Sequence, residues 1–205
     1  HVGNWPGVNV EKKEGTIRNE NKNIHVVDLP GTYSLGAYSE DEVVASDFLL
    51  HQNPDVVVNI VDTTNLMRNL YLTIQLLEMG ANVVLALNMY DQVEKQNLEI
   101  DVAELSEILK IPVVKTSASK GDGVNDIIVN AVRLAGKEIK PLIIDYGSDV
   151  EEAIKQISTV IKENRELEFM YNTRWLALKI LEQDEHIIEA IEDKLSSEQL
   201  TAIKE

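Results

Sequence analysis

Residues 83–91 have the sequence VVLALNMYD, an apolar run that ends in Asn88-Met89-Tyr90-Asp91. Three other apolar, β-branched runs, at residues 24–27, 56–61 and 111–114, also end in polar groups, and helical patterns separate the runs. Such runs predict buried strands of a parallel βαβ array. Because right-handed crossovers place the carboxyl ends of parallel strands on one side, we expect the polar groups to converge on one crevice of a single sheet. The other groups are Asp28-Leu29-Pro30-Gly31, Asp62 and Thr116-Ser117-Ala118.

Length and composition limit the class of protein. The 205 residues are 44% hydrophobic, enough for one medium domain and a small one. There is no cysteine, which fits a reducing compartment and excludes a thiolate metal site. The net charge of −16 argues against a nucleic-acid partner, since such binding needs clustered Lys and Arg. No apolar run approaches the roughly 20 residues that cross a bilayer, so the sequence predicts a soluble chain.

The chain divides near residue 140. Residues 1–139 predict an α/β domain: an antiparallel pair at 8–17 and 24–28 with a turn at 18–23, then strands at 55–61, 82–87 and 111–115. Helices are expected at 39–50 with Ser39 as N-cap, at 66–79 closed by Gly80, at 101–110 and at 124–134. Residues 140–205 predict a small all-α domain. Its helices are expected from a capping box at Ser148 and Glu151, around 174–181, at 184–195, and from a second capping box at Ser196 and Gln199.

The segment Asp28 to Gly31 suits one side of a phosphate and metal site. The Asp28 carboxylate could hold a hydrated Mg²⁺, and the N–H of Gly31 could approach a terminal phosphate that a Cβ would crowd. Asp-Leu-Pro-Gly is also good turn chemistry, which is the more frequent use of such a segment. By itself the segment therefore leaves both interpretations open.

The spacing of Asn88 and Asp91 suits recognition of guanine. A carboxylate can accept hydrogen bonds from guanine N1–H and N2–H₂, a donor pair that adenine lacks, while an amide meets the other edge of the base. Asn and Asp also commonly occupy strand-to-helix loops. This motif alone is therefore explained about equally well by a structural role in the loop and by recognition of guanine. The small residues at 116–118 would let a backbone N–H, that of Ala118, reach the guanine carbonyl oxygen.

In this order, the motifs resemble those of the translation-factor-like GTPases. Within that class the chain is similar to the cytosolic N-terminal region of the ferrous iron transport protein B (FeoB) family. The segments that carry the resemblance are HVGNWPGVNVEKK (1–13), DLPGTYSL (28–35), RNLYLTIQLL (68–77) and, in the helical part, NTRWLALKIL (172–181).

The resemblance implies a three-layer, P-loop NTPase-like G domain with a mostly parallel sheet, followed by a helical coupling domain. It implies GTP or GDP as ligand and Mg²⁺ as cofactor, with Asp28 binding the metal through water. The implied GTP-binding residues are Gly7, Val8, Asn9, Val10 and Glu11 in switch I, Asp28, Leu29, Pro30 and Gly31 at the start of switch II, Asn88, Met89, Tyr90 and Asp91 in the base-reading motif, and Thr116, Ser117 and Ala118 in the last motif.

The sequence departs from the family pattern at three places. Asn9 stands where the family has an Mg²⁺-ligating Thr, and the reach of an Asn carbonyl differs, so metal ligation by Asn9 is doubtful. No Gln lies between Asp28 and His51 to position a water, which leaves the catalytic residue unknown. No G-x-x-x-x-G-K-[ST] pattern occurs in the 205 residues. We expect that this sequence omits an N-terminal segment of roughly 25 residues that contains a strand and the phosphate loop. If the protein has no such segment, it would be severely impaired as an enzyme.

Other candidate residues favour structural roles. The four histidines, at 1, 25, 51 and 186, have no metal-ligand spacing. Glu182, Glu185 and His186 could be imagined as an iron contact, but they fit the acidic start of a helix better. Trp175 could anchor a partner, although a core position beside Leu176 and Ile180 is the safer interpretation.

The sequence therefore supports a GTP-binding and hydrolysing regulatory domain of a prokaryotic ferrous iron transporter, at the cytoplasmic face of the plasma (inner) membrane. Its expected partners are a guanine nucleotide and the transmembrane iron-permease region of the same polypeptide, with homo-oligomer formation left open and no nucleic acid. The alternative is a degenerate, non-hydrolysing nucleotide switch or interaction module. A ribosome-associated GTPase would need a basic face or an RNA-binding module, and the sequence has neither.

Overall fold

Two three-stranded sheets organise the first part of the molecule. The structure, a computed structural model, describes residues 2–5, 10–19, 22–137 and 140–204. An antiparallel sheet contains β1 (Val2–Asn4), β2 (Glu11–Asn19) and β3 (Lys22–Asp28) in that order. A parallel sheet contains β4 (Val57–Asp62), β5 (Val83–Asn88) and β6 (Val113–Lys115), with β5 in the centre.

Of the two predictions made for the run at 24–27, the antiparallel pair with residues 8–17 is confirmed, and membership of the single parallel sheet is wrong. Within the described ranges, β3 pairs with β2 from Lys13↔Asp28 to Asn19↔Lys22 and shares no ladder with β4. The strand is therefore not buried on both faces, and Val26 is 41% exposed. A four-residue apolar run shows that a strand forms but does not specify its neighbour. The expected turn at 18–23 is also shorter, because Asn19 and Lys22 are already paired.

The central strand β5 is buried on both faces, as its uninterrupted apolar run predicts, whereas Val58 and Ile60 on β4 are exposed, so the prediction of a buried strand at 56–61 is only partly confirmed. Val83 to Leu87 have no solvent exposure. Val83, Leu85 and Leu87 belong to a core that includes residues of α1 (Glu40–Gln52), α2 (Leu66–Met79) and α4 (Val102–Leu109). Val84 instead packs with Val114 and residues of α5 (Val124–Leu134) on the opposite face. The alternation of side chains along β5 thus produces three layers.

The helix ends follow the predicted signals closely. The Ser39 side chain accepts a hydrogen bond from the N–H of Glu42, as expected for an N-cap. The helix α2 ends at Gly80, whose φ of 95° lets its N–H return to the carbonyls of Leu76 and Leu77. A short helix that the sequence pattern did not indicate, α3 (Tyr90–Lys95), begins inside the base-reading motif.

The second part of the chain is all-α, as predicted. It contains α6 (Ser148–Lys162), α7 (Arg165–Met170), α8 (Thr173–Leu181), α9 (Glu185–Glu192) and α10 (Ser197–Lys204). Their core surrounds Trp175, which is 2% exposed, so the prediction of a core tryptophan is confirmed. No helix in the described ranges has both the length and the apolar character to cross a membrane.

One of the two predicted capping boxes forms. The side chains and N–H groups of Ser196 and Gln199 exchange both hydrogen bonds at the start of α10. The predicted capping box at Ser148 and Glu151 does not form. The helix α6 begins at Ser148, and its N-cap is Gly147, which has no side chain to accept a hydrogen bond. Glu151 instead forms an ion pair with Arg174 at 2.7 Å, a stronger partner that the local pattern could not indicate.

Candidate functional site

Three polar loops meet at the carboxyl edge of the parallel sheet. The parallel register places Asp62 opposite Asn88, and Thr116 follows β6 directly. The N–H of Thr116 donates to the carbonyl of Leu87 at 2.9 Å, and the N–H of Tyr90 donates to the carbonyl of Thr116 at 3.1 Å. These bonds join the loops after β5 and β6 into one unit. The loop after β4 joins it through Thr63, whose hydroxyl donates to the carbonyl of Asn88, so three of the four segments expected to converge do meet.

The side chain of Asn88 connects the base-reading motif to the last motif. Its Oδ1 accepts a hydrogen bond from the N–H of Ala118 at 3.0 Å. The backbone carbonyl of Asn88 accepts a hydrogen bond from the buried hydroxyl of Thr63 in the loop after β4. Asn88 is thereby held from both sides, and its amide position is fixed relative to Ala118.

Asp91 lies in the first turn of α3 with its carboxylate directed toward the loop after β6. Its side chain is 16% exposed. Lys120 Nζ lies 3.0 Å from one carboxylate oxygen and Lys95 Nζ 3.6 Å from the same oxygen, while the hydroxyl of Ser117 donates to the other oxygen at 3.3 Å. The hydrogen bond from Lys120 is the main cause that lowers the pKa of Asp91 below its ordinary value, so the carboxylate is charged at neutral pH.

Two glycines shape the loop that presents Ala118. Ser117 and Asp122 exchange backbone hydrogen bonds at 3.2 Å, which closes residues 117–122 into a tight turn. Gly121 and Gly123 have φ values of 76° and 78°. A Cβ on Gly123 would lie 2.3 Å from the carbonyl oxygen of Lys115, so this position excludes a side chain. The turn holds the N–H of Ala118 toward Asn88.

Asp28 stands apart from this group. It is exposed at the end of β3, and no described hydrogen bond or ion pair joins residues 28–31 to the loops at 88–91 or 116–118. Leu29 packs against the core and fixes the start of the loop. At Gly31, the space that a Cβ would occupy is open, so packing within the protein does not require glycine there.

The N-terminal candidates are only partly described. Val10 accepts a hydrogen bond from the N–H of Trp5 through its carbonyl at 2.8 Å, and Glu11 begins β2 with its carboxylate paired to Lys13 at 3.0 Å. The candidates Gly7, Val8 and Asn9 lie outside the described residues. The proposed metal-ligating role of Asn9 therefore stays a prediction from the sequence.

Three contributors to the site were missed by the sequence analysis. Thr63, Lys120 and Gly123 each contact a candidate residue or its loop. Gly123 had a usable signal, because the pattern Gly-Asp-Gly directly after Thr116-Ser117-Ala118-Ser-Lys indicates a tight turn. Lys120 had none, since a lysine in a polar loop is ordinarily solvated.

The imagined iron contact in the helical part is not formed. The ammonium of Lys179 lies 2.9 Å from the carboxylate of Glu182, and His186 Nε2 lies 2.8 Å from Asp47 Oδ1 on α1. Within the part of the chain that the structure describes, no group of three or more His, Asp and Glu side chains could hold a metal ion. His186 instead contributes to the contact between the two parts of the molecule, and Glu182 pairs with Lys179, which itself reaches Leu35.

Comparison with known families matches almost the whole chain. Residues 1–131 match the family model described as ferrous iron transport protein B, and residues 146–205 match the model described as FeoB cytosolic helical domain. The Fe(2+) transporter FeoB of Methanocaldococcus jannaschii is 47% identical over 193 residues, which are 94% of this chain and 28% of that protein. The Fe(2+) transport protein A/Fe(2+) transporter FeoB fusion protein of Porphyromonas gingivalis is 42% identical over 191 residues, 91% of this chain and 23% of that protein. The chain thus spans about a quarter of the length of these relatives.

Solved structures match over the full chain. The cytosolic domain of the T. maritima FeoB iron transporter in its GMPPNP form is 38% identical with a TM-score of 0.88, and the match covers 100% of this chain and 81% of that one. A mutant of S. thermophilus NFeoB bound to mGDP is 41% identical with a TM-score of 0.89, covering 100% of this chain and 76% of that one.

Proposed function

The chain belongs to the ferrous iron transport protein B (FeoB) family, and from that premise we propose that residues 1–139 form a guanine-nucleotide switch that regulates Fe(II) transport. The observation that carries the proposal is the hydrogen-bonded unit of Asn88, Asp91 and Ala118 at one edge of the parallel sheet. This unit presents an anionic acceptor and a backbone donor on two joined loops. Guanine requires both, because it offers the N1–H and N2–H₂ donors beside a carbonyl acceptor.

The proposed roles follow from the positions of these groups. Asp91 accepts hydrogen bonds from the guanine donors, Ala118 N–H donates to the guanine carbonyl oxygen, and Asn88 holds the two loops together. Met89, Tyr90, Thr116 and Ser117 form the backbone and walls of this base pocket. The GDP and GMPPNP forms of the solved relatives support a guanine nucleotide as the ligand.

Mg²⁺ fits the chemistry at the end of β3. Mg²⁺ keeps several waters and binds through one or two carboxylates together with substrate phosphates. The single exposed carboxylate of Asp28 is therefore enough protein ligand for a hydrated Mg²⁺ ion that also contacts the phosphates. Asp28 would hold the ion through water, and Gly31 N–H would meet a terminal phosphate. When bound, the ion would neutralise charge on the phosphates.

We propose that the helical part, residues 140–205, couples the nucleotide site to the rest of the transporter. The support is a direct contact: the ammonium of Lys179 on α8 donates to the backbone carbonyl of Leu35 at 3.0 Å. Leu35 lies four residues after Gly31, and its N–H is held by Gln75 at 2.8 Å. A second contact joins His186 to Asp47 at the domain boundary. The partner at the other end would be the iron-permease region of the same polypeptide, at the cytoplasmic face of the plasma membrane.

A non-hydrolysing switch is the second candidate, and one observation favours it. No Gln lies between Asp28 and His51, and the hydroxyl of Thr32, which follows Gly31, donates to the carbonyl of Ser34 at 2.6 Å. That hydroxyl is therefore engaged within its own turn. GTP turnover with radiolabelled nucleotide, measured on a protein that includes the phosphate-loop segment, separates the two candidates, since only the first predicts phosphate release above background.

The test of the base pocket is Asp91→Asn. Guanine needs two acceptor oxygens, and an amide replaces one of them by an N–H₂ donor. GDP binding should therefore weaken by at least about tenfold, while xanthosine diphosphate (XDP) gains relative to GDP. The two nucleotides are titrated into the ¹⁵N-labelled protein, and amide shifts near Ala118 are followed. Glu94→Gln, on the same short helix, controls for loss of a charge. Unchanged GDP affinity in Asp91→Asn would contradict the assignment of Asp91.

A further inference from the structure

The groups that would read guanine are already satisfied within the protein. The N–H of Ala118 donates to Asn88, and the carboxylate of Asp91 receives Ser117 on one oxygen and Lys120 on the other. A guanine that enters this pocket must share or replace these partners. The affinity for the base is therefore a difference between two sets of hydrogen bonds.

Among these partners, Lys120 offers Asp91 the donors most similar to those of guanine. It belongs to the turn after β6, where its N–H donates to the carbonyl of Ser117 at 2.9 Å. From there its ammonium reaches back to Asp91 at 3.0 Å, on a half-exposed side chain. The ammonium supplies positively polarised N–H donors to the carboxylate, as guanine N1–H and N2–H₂ would.

We propose that Lys120 is an internal competitor of the guanine base for the carboxylate of Asp91, and that it thereby sets the affinity for guanine nucleotides. This inference rests on the proposed function and identifies a residue that determines affinity at the same site. The ion pair must open before both guanine donors can reach Asp91. Its flexible, half-exposed side chain makes that exchange feasible at moderate cost.

Lys95 also lies near Asp91, but its contact with the carboxylate is longer and more exposed than that of Lys120. It lies on α3 one turn after Asp91, its ammonium is 3.6 Å from the carboxylate, and its side chain is 64% exposed. It belongs to the same helix as Asp91, whereas Lys120 comes from the loop that presents Ala118. Of the two lysines, Lys120 is the one that reaches Asp91 from the loop that would also contact the base.

The carboxylate remains charged without Lys120. Lys120 is the first cause that lowers the pKa of Asp91, and removal of this lysine would return that pKa toward its ordinary value of 3.8. That value is far below neutral pH, so the acceptor persists in a Lys120 variant. Removal of Lys120 therefore frees Asp91 without neutralising it.

The experiment is a titration of GMP and AMP into the ¹⁵N-labelled chain and its Lys120→Met variant at neutral pH. GMP carries the whole base and dissolves at the high concentrations that weak binding requires. Lys120→Met should bind GMP about threefold to fivefold more tightly, since an ion pair of this exposure is worth at most about that factor. AMP binding should not change. Lys110→Met, which removes one exposed lysine from the same domain, should bind GMP like the unmodified chain.

Two further measurements distinguish competition from a structural effect. Added salt should reduce the difference between the unmodified chain and Lys120→Met, because screening weakens the ion pair. In an Asp91→Asn background, Lys120→Met should have no effect, because the charge for which the two ligands compete is gone. Damage to the loop would weaken binding instead of strengthening it.

The outcomes separate this inference from the proposed function. Equal or weaker GMP binding by Lys120→Met, in a protein that does bind GMP in preference to AMP, overturns the role of Lys120 alone. Absence of any GMP-induced shift at Asn88 or Ala118 in all variants overturns the guanine site, and the role of Lys120 with it.

Discussion

At the scale of single residues, Asn9 is the candidate with the most specific chemical consequence. A Thr at this position would offer a hydroxyl to Mg²⁺, whereas Asn offers a carbonyl on a longer side chain. Asn9→Thr should strengthen the Mg²⁺ dependence of GMPPNP binding and leave GDP binding nearly unchanged. Titrations at several Mg²⁺ concentrations measure this dependence. Identical curves for both proteins would show that position 9 does not ligate the metal.

Glu151 is the residue whose titration should be visible in stability. Hydrogen bonds from Arg174 and from the N–H of Tyr146 lower its pKa from 4.5 to about 2. Because the pKa is lower in the folded protein, the ion pair stabilises the fold above pH 4.5 and loses this effect as the pH falls toward 2. Arg174 also donates to the carbonyl of Ile144, so the pair fixes the segment that leads into α6.

The prediction is that Glu151→Gln lowers the melting temperature above pH 4.5 and that the difference from the unmodified protein shrinks in more acidic buffer. Thermal unfolding across a pH series measures the difference. Glu152→Gln is the control, because Glu152 is exposed and its ion pair with Lys155 spans 3.6 Å. A difference that does not vary with pH would mean that Glu151 acts through packing and not through its charge.

At the scale of elements, the turn between β6 and α5 depends on glycine. Gly123→Ala combines an unfavourable φ of 78° with a contact of 2.3 Å to the Lys115 carbonyl, so it should cost at least about 2 kcal/mol of unfolding free energy. Gly121→Ala has a similar φ but nothing within 4 Å, and should cost only about 1 kcal/mol. Chemical denaturation compares the two. Equal losses would show that the loop near Lys115 moves to accommodate a side chain.

Elements differ in how well local sequence predicts them. The helix α2 forms over the predicted residues 66–79, because its apolar stripe and Gly80 are both local signals. The helix α6 lacks its expected cap, because Glu151 finds a stronger partner 23 residues away. Similarly, the antiparallel pairing of β3 with β2 was predicted from the short turn between them, whereas the absence of a ladder between β3 and β4 in the described residues was not. Local signals therefore predict elements well and their partners poorly.

At the scale of the whole molecule, Lys179 joins the helical part to the segment after Gly31. Burial lowers its pKa, but Glu182 and Asp184 outweigh that effect and hold the pKa above its ordinary value. Its side chain is 4% exposed, and that of Asp184 is 6% exposed. Removal of the lysine leaves the carbonyl of Leu35 without this donor and the buried carboxylate of Asp184 without its cation, with the N–H of Ile187 still bonded to the other oxygen.

Lys179→Met should therefore lower the unfolding free energy by about 3 kcal/mol. It should also increase hydrogen exchange of the amides around Leu35, a readout in the other part of the molecule. Lys194→Met is the matched control, since its ion pair with Glu166 is on the exposed surface and should contribute about 0–1 kcal/mol. Unchanged exchange near Leu35 would argue against coupling through this lysine.

Local patterns in the sequence were enough to predict the α/β and all-α parts, the order of the polar loops, and the candidate residues from Gly7 to Ala118. These follow from hydrophobic periodicity, turn residues and the chemistry of short motifs, which are properties of neighbouring residues. The folded structure was needed to show that β3 shares no ladder with the parallel strands in the described residues, that Lys120 faces Asp91 and that Lys179 contacts Leu35. Each of these depends on which distant groups become neighbours when the core closes, and periodicity along the chain does not encode the identity of those neighbours.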